Sequence, residues 1–249
     1  MVDKVLLVTG GGRGIGAAIC RLAARDGWDV AINYAARPEP AEEVAAAVRA
    51  AGRKAVTIPG DVADQEAVVK IFDQAEQALG KLSGVVVNAG IVNKAAPLVD
   101  IPIAEIRRVI DVDLLGAIWT AREAVVRMAK SRGGQGGVIV NISSMAAIFC
   151  GAGGFAPYGI AKIGVDALTE GLGKDIAHEG IRICGLRPGL IDTDIQHDTG
   201  IEKRLERFGP TVPMGRPGTA DEVAEAAIWL LSEKASYVTA TTFNVSGGR

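Results

Sequence analysis

The sequence predicts an α/β fold: one doubly wound domain in which a seven-stranded parallel sheet carries helices on both faces. Three observations lead there. Short, wholly apolar runs such as Val5-Leu6-Leu7-Val8 alternate with stretches whose apolar residues recur at helical spacing. A glycine cluster stands where the first of these runs ends. No Pro/Ser-rich linker, internal repeat or low-complexity segment divides the 249 residues, so 1–249 reads as a single domain.

The elements follow in order. Residues 5–8 form a first strand, apolar throughout because both of its faces are covered. A helix is expected over 15–25, stopped by Gly27. Residues 29–34 read as a second strand, 39–51 as an Ala-rich helix ended by Gly52, and 54–58 as a third strand leading to Asp61-Val62. A helix over 65–79 and a strand over 84–87 deliver Asn88-Ala89-Gly90. One long helix is expected over 103–129, then a strand over 137–142 that ends at Ser143-Ser144. A second long helix over 157–178 precedes a strand over 181–186, which leads to Pro188-Gly189. Residues 192–217 are polar and irregular, with Pro210, Pro213 and Pro217. A helix over 220–231 and a seventh strand over 241–245 complete the pattern. Ligands bind such sheets beyond the carboxyl ends of the strands, and the motifs named here fall at those ends.

Composition narrows the function. Hydrophobic residues at 49% and charged residues at 22% suffice for one core. A net charge of −2 with no basic block argues against nucleic acid or a membrane surface as partner. Met1-Val2-Asp3-Lys4 lacks a leader pattern, and no apolar run reaches the ~18 residues of a membrane span. Cys20, Cys150 and Cys184 lack metal-ligand spacing and read as free thiols of a reducing cytosol. With only His178 and His197 present, neither a His-rich metal site nor a Ser-His-Asp triad is expected, and a cytoplasmic protein is.

The glycine turn reads Thr9-Gly10-Gly11-Gly12-Arg13-Gly14-Ile15-Gly16. Gly10, Gly14 and Gly16 would let the backbone turn sharply against a pyrophosphate, and the following helix would supply N–H donors and its positive dipole end. The second strand bears on the choice of dinucleotide. An acid at its end would hold a ribose 2′-hydroxyl, but the residues are Ile32-Asn33-Tyr34-Ala35-Ala36-Arg37. Arg37 and Arg13 suit a 2′-phosphate, so NADP(H) is favoured over NAD(H).

Ser144 precedes Tyr158 by fourteen residues, and Lys162 lies one helical turn further on. Tyr158 and Lys162 share a helix face. A tyrosine with its ordinary pKa of about 10 exchanges protons poorly near neutrality. The Lys162 ammonium and the helix N-terminus would both favour the phenolate. Tyr158 could then serve as acid or base, with Ser144 donating to the substrate oxygen.

Together these motifs resemble the short-chain dehydrogenase/reductase family. The match runs through Thr9-Gly10…Gly14-Ile15-Gly16, Asp61-Val62, Asn88-Ala89-Gly90, Ser144, Tyr158…Lys162 and Pro188-Gly189…Thr193, and covers nearly the whole chain. The C-terminal half is similar to glucose-dehydrogenase-like and 3-oxoacyl-carrier-protein-reductase-like members. The resemblance implies a Rossmann-type sheet, hydride transfer between NADP(H) and a secondary alcohol or ketone, and a homotetramer or homodimer. It assigns Lys162 to the nicotinamide ribose as well, and Asp61 and Val62 to the adenine. Asn88, Ala89 and Gly90 fall to the ribose, and Pro188, Gly189, Ile191 and Thr193 to the carboxamide. Tyr34 and Arg37 border the adenosine end, and Ile15 belongs to the glycine turn. One position departs: Asp113 stands where many members carry an Asn that holds a relay water running through Lys162. An ionised carboxylate there accepts hydrogen bonds, donates none, and raises the Lys162 pKa.

Residues 192–217 are expected to cover the substrate, with a short amphipathic helix at 201–208 and Ile195, His197, Ile201, Leu205 and Phe208 among its side chains. Phe149, Cys150 and Phe155 are expected on the facing wall, and Gly151-Ala152-Gly153-Gly154 absorbs the extra residue between Ser144 and Tyr158. A second class of function stays open. An NADP(H)-binding regulatory or sensor protein with weak or no catalysis would also be built this way, and Asp113 is its one support in the sequence.

Overall fold

In the computed structural model, residues 4–249 are described. The leader pattern considered above concerns Met1, Val2 and Asp3, which lie outside the described residues. Strand β1 (Val5–Val8) shows why its sequence is apolar throughout. Val5 and Leu7 point into one core, and Leu6 and Val8 into the other, on opposite faces of the sheet. Each such side chain removed from water contributes roughly 1.5–3 kcal/mol before chain entropy is subtracted.

Around β1 lie α1 (Gly14–Arg25), β2 (Asp29–Tyr34), α2 (Pro38–Ala50), β3 (Ala55–Pro59), α3 (Gln65–Leu79) and β4 (Gly84–Val87). Helix α1 buries Ile19, Cys20, Ala23 and Ala24, and Gly27 (φ +90°) turns the chain after its end. The second half contributes α4 (Ile103–Ile110), α5 (Gly116–Met128), β5 (Gly137–Ile142), α6 (Met145–Ile148), α7 (Ala156–Ile176) and β6 (Ile181–Pro188). Then come β7 (Ile191–Asp192), α8 (Ile195–Asp198), α9 (Arg204–Phe208), β8 (Gly218–Thr219), α10 (Ala220–Leu231) and β9 (Thr241–Val245). The main sheet is parallel throughout, in the order β3-β2-β1-β4-β5-β6-β9. Helices cover both of its faces, as the alternating pattern predicts. The order doubles back between β1 and β4, which opens a crevice at their carboxyl ends.

The structure departs from the sequence reading in four places. The long helix over 103–129 is interrupted by a π-helical turn, Asp111–Leu115, in which the Gly116 N–H donates to the Asp111 carbonyl five residues back. The wider turn accompanies an inward-facing, buried Asp113. The helix after Ser144, α6, is too short to leave a periodic signal. The two-residue parallel pair β7–β8 is equally invisible to pattern. The amphipathic helix expected at 201–208 begins only at Arg204, because Lys203 takes a left-handed conformation (φ +48°) that ends any earlier helical path.

Candidate active site

A cavity of about 540 Å³ follows the carboxyl ends of the central strands. The glycine turn forms part of its floor. Gly10 (φ +62°) and Gly14 (φ +52°) supply left-handed backbone that other residues adopt at a cost. The α1 N-terminus has no side-chain cap, so its first N–H groups are open to a ligand. Gly16 serves packing instead: a Cβ there would lie 2.5 Å from both Asn88 Nδ2 and the Gly10 carbonyl, and the residue does not line the cavity. Asn88 braces this turn, donating from Nδ2 to the Thr9 carbonyl (2.9 Å) and the Gly10 carbonyl (3.1 Å). The other residues expected at a cofactor all line the cavity: Arg13, Ile15, Tyr34, Arg37, Asp61, Val62, Asn88, Ala89, Gly90, Tyr158, Lys162, Pro188, Gly189, Ile191 and Thr193.

At the β2 end, no carboxylate stands between Tyr34 and Arg37. Asp61, one strand over, is held by Arg108 at 2.8 Å and accepts from the Ala63 N–H at 3.1 Å. Arg13 forms a loose ion pair with Asp198 of α8 at 3.8 Å.

Beyond β5 the two serines divide their work. Ser143 is buried, and its hydroxyl donates to the Lys162 carbonyl at 3.2 Å. Ser144 caps α6, accepting from the Ala146 N–H at 3.1 Å, and lines the cavity. In α7, the Lys162 ammonium lies 5.5 Å from the centre of the Tyr158 ring. Lys162 Nζ donates to the Ile142 carbonyl at 3.2 Å and stands 3.2 Å from Asp113 Oδ2. Both side chains are almost wholly buried, at 4% and 0% exposed. The other carboxylate oxygen of Asp113 accepts from the Ile91 N–H at 2.8 Å. Asp113 lies behind Lys162, outside the cavity lining.

Burial sets the titration of this group. It pushes the Tyr158 phenol up; the Lys162 charge opposes it, the Asp113 charge adds to it, and the Ser144 hydroxyl and Arg204 pull down. Burial alone would lower Lys162, but Asp113 above all, with Tyr158 and Asp166, raises its pKa and keeps its proton in place. Asp113 is raised by burial against the pull of Lys162 and the Ile91 N–H. Tyr158 is therefore screened from its ammonium by a carboxylate, which an Asn at the same place would not do.

Comparison with known proteins spans nearly the whole chain. A family model described as enoyl-(acyl carrier protein) reductase matches residues 10–249. The chain belongs to the short-chain dehydrogenase/reductase family. It is 40% identical over 245 residues to the uncharacterized oxidoreductase YgfF of Escherichia coli (strain K12), covering 98% of this chain and 99% of that one. It is 34% identical to glucose 1-dehydrogenase 2 of Bacillus subtilis (strain 168), covering 100% and 95%. Among solved structures it is similar to the 3-ketoacyl-(acyl-carrier-protein) reductase from Brucella melitensis complexed with NADH, at a TM-score of 0.90, 29% identity and coverage of 99% and 98%. Family membership makes the chain an oxidoreductase for alcohol- or ketone-type substrates, and NAD(P)(H) its class of cofactor.

The residues fit such a cofactor. The uncapped α1 N-terminus suits a pyrophosphate, and the left-handed backbone at Gly10 and Gly14 turns the chain tightly beneath it. The facing wall differs from expectation at one residue. Cys150 turns outward in a left-handed conformation (φ +52°), and Phe149, Gly151, Ala152, Gly153 and Phe155 line the cavity without it. Of the covering segment, Ile195, Ile201 and Phe208 reach the cavity; His197 and Leu205 do not. Sequence reasoning missed Arg108, Arg204 and Arg249, which also line it. None belongs to a motif, and only the folded chain brings residue 249 beside residue 204.

Removing the Asp113 carboxylate strands a buried ammonium. Asp113→Ala should lower the free energy of unfolding at neutral pH by about 3–5 kcal/mol. Asp113→Asn, which keeps an acceptor for Ile91, should lose less. Denaturant titration of both variants checks this, and a cost for Asp113→Ala under about 1 kcal/mol would show the pair to be dispensable.

Proposed function

We propose that this chain is an NADP(H)-dependent oxidoreductase that interconverts a secondary alcohol and a ketone, with Tyr158 as the acid/base. The observation that carries the reading is the Lys162 ammonium 5.5 Å from the Tyr158 ring, in a cavity that also takes in Ser144 and the glycine turn. When bound, the nicotinamide supplies or accepts the hydride. Gly10, Gly14 and Ile15 would hold the pyrophosphate. Asp61 and Val62 would border the adenine, and Asn88, Ala89 and Gly90 the ribose. Lys162 would reach the nicotinamide ribose hydroxyls, and Pro188, Gly189, Ile191 and Thr193 would hold the carboxamide. Arg37, helped by Arg13, would meet a 2′-phosphate, with no acid at the β2 end to repel it. Ser144 donates to the substrate oxygen, where charge develops. In reduction the Tyr158 hydroxyl gives that oxygen its proton; in oxidation the phenolate takes it back. Residues 192–217 would act as the substrate lid.

The relative solved with NADH keeps the NAD(H) alternative in view. A sensor protein with little catalysis is the second reading, favoured by the carboxylate that screens Lys162 from Tyr158. The protein is proposed to be cytoplasmic and a homotetramer or homodimer. The half-exposed ring pair of Trp229 and Phe243, 5.8 Å apart, supports assembly, as do exposed Ile160 and Ile163 on α7.

Three outcomes test this reading. Tyr158→Phe should lower kcat by about 10²–10⁴-fold with its melting temperature retained, in assays that follow nicotinamide absorbance. Undiminished turnover would sink the mechanism, and NADPH binding with no turnover of any ketone or alcohol by the wild type would favour the sensor. Calorimetry should find NADPH bound more tightly than NADH, and Arg37→Ala should erase roughly tenfold or more of that preference, as loss of a charged hydrogen bond does. Tighter NADH binding would reverse the cofactor assignment. Finally, Asp113 raises the Tyr158 pKa. Its replacement in Asp113→Asn should therefore move the Tyr158-controlled limb of kcat/KM toward lower pH, in oxidation and reduction alike. A limb that stays put, or moves to alkaline pH, contradicts the screening argument.

A further inference from the structure

Two arginines on the cavity take no part in the hydride transfer proposed above. Arg204, the first residue of α9, lays its guanidinium over the Phe155 ring with Cζ 4.8 Å from the centroid. Arg249 does the same over Phe149 at 5.7 Å. Phe155 precedes Tyr158 by three residues and stands just before the first turn of α7, so the arginines converge on the Tyr158 end of the cavity. They also feel each other. Arg204 is depressed by burial first and by the Arg249 charge second, while Tyr158 opposes both.

Among the described residues neither guanidinium forms an ion pair or a hydrogen bond, and Arg204 Nε is buried without a partner. The nearby carboxylates are engaged elsewhere or stand apart. Asp198 faces Arg13 at 3.8 Å and Glu206 faces Lys203 at 3.7 Å. Asp194 lines the cavity but pairs with neither arginine. Two cations side by side in a half-buried, ring-walled pocket repel each other and lack part of their hydration. An anion entering between them relieves both penalties. The cofactor does not meet this need, because its phosphates have donors of their own at the glycine turn and at Arg37. With their guanidiniums over rings and no partner among the described residues, both keep N–H groups for the bidentate pairing that carboxylates and phosphates offer.

We propose that Arg204 and Arg249 are the recognition site for an oxyanion group, carboxylate or phosphoryl, carried by the substrate itself. The enzyme would then take an anionic keto or hydroxy compound in preference to a neutral one, with the anion between Phe149 and Phe155 and the reacting oxygen at Tyr158. The hydride-transfer reading enters only in saying which end of the ligand reacts; anion binding stands apart from it.

The test is calorimetric titration of the full chain, saturated with NADP⁺ in low-chloride buffer, with benzoate, phenyl phosphate and methyl benzoate. At least one anion should bind tenfold or more tightly than the neutral ester. Arg204→Gln should abolish that advantage and Arg249→Gln reduce it, with NADP⁺ affinity unchanged in both variants. Preference for benzoate identifies a carboxylate and preference for phenyl phosphate a phosphoryl group. Equal binding of ester and anions, an anion advantage that survives Arg204→Gln, or no binding by any probe overturns the proposal. So does loss of NADP⁺ affinity in the variants, which would assign the arginines to the cofactor. None of these readouts needs turnover, so failure of Tyr158 as the acid/base would leave them standing.

Discussion

The active end of the cavity depends on keeping one buried ammonium charged. Lys162 is almost wholly buried, and burial alone would lower its pKa. The structure holds the charge with the Asp113 carboxylate and the Ile142 carbonyl, each 3.2 Å from Nζ. Lys162 and its partners come from three elements: the first turns of α7, the π turn and the end of β5. Those elements must therefore dock in register for the Lys162 charge to be held beside Tyr158. Ser143 reinforces the docking by tying the β5 end to the Lys162 carbonyl. The same contacts serve stability and titration together, which is why the group cannot be loosened in part.

Much of the sheet is legible in the sequence for one physical reason. A parallel strand covered on both faces is apolar along its length, and β1 and β4 write that constraint in Val and Leu. The glycine turn is legible because positive φ at Gly10 and Gly14 and close approach at Gly16 all demand glycine. Tyr158 and Lys162 are legible because a helix fixes the geometry of residues four apart. What escapes is whatever depends on long-range contact. Nothing in the local pattern of 103–129 announces a π turn, since the change that marks it is an inward Asp113 whose partner lies in another helix. Cys150 escapes because a single left-handed residue reverses its direction. Arg249 escapes because its place at the cavity exists only once the chain after β9 has folded back against Phe149.

Charge is distributed along the cavity unevenly. At the glycine turn and the β2 end, arginines either meet acids (Arg13 with Asp198, Arg108 with Asp61) or, like Arg37, stand exposed to solvent. Water can satisfy those side chains when nothing is bound. At the 149–155 wall, Arg204 and Arg249 lie over aromatic rings and pair with no acid among the described residues. A guanidinium stacked on a ring gains cation–π attraction but keeps its N–H groups unspent. The two ends are thus prepared differently, one screened and wet, the other unscreened and partly dry.

That difference bears on Tyr158, which sits between a screened cation and an unscreened one. Asp113 cancels part of the Lys162 field at the phenol, and Arg204 restores some positive potential. A neutral substrate would leave the Arg204 contribution intact. An anionic substrate would neutralise it on binding, pushing the phenol further toward its protonated form. A protonated Tyr158 is the state needed to give a proton to a ketone. With Asp113 facing Lys162 and Arg204 adding positive potential, an anion that paired with Arg204 would favour the acid form of Tyr158. The protonation of Tyr158 thus answers to the charges around the Tyr158–Lys162 pair as well as to the pair itself.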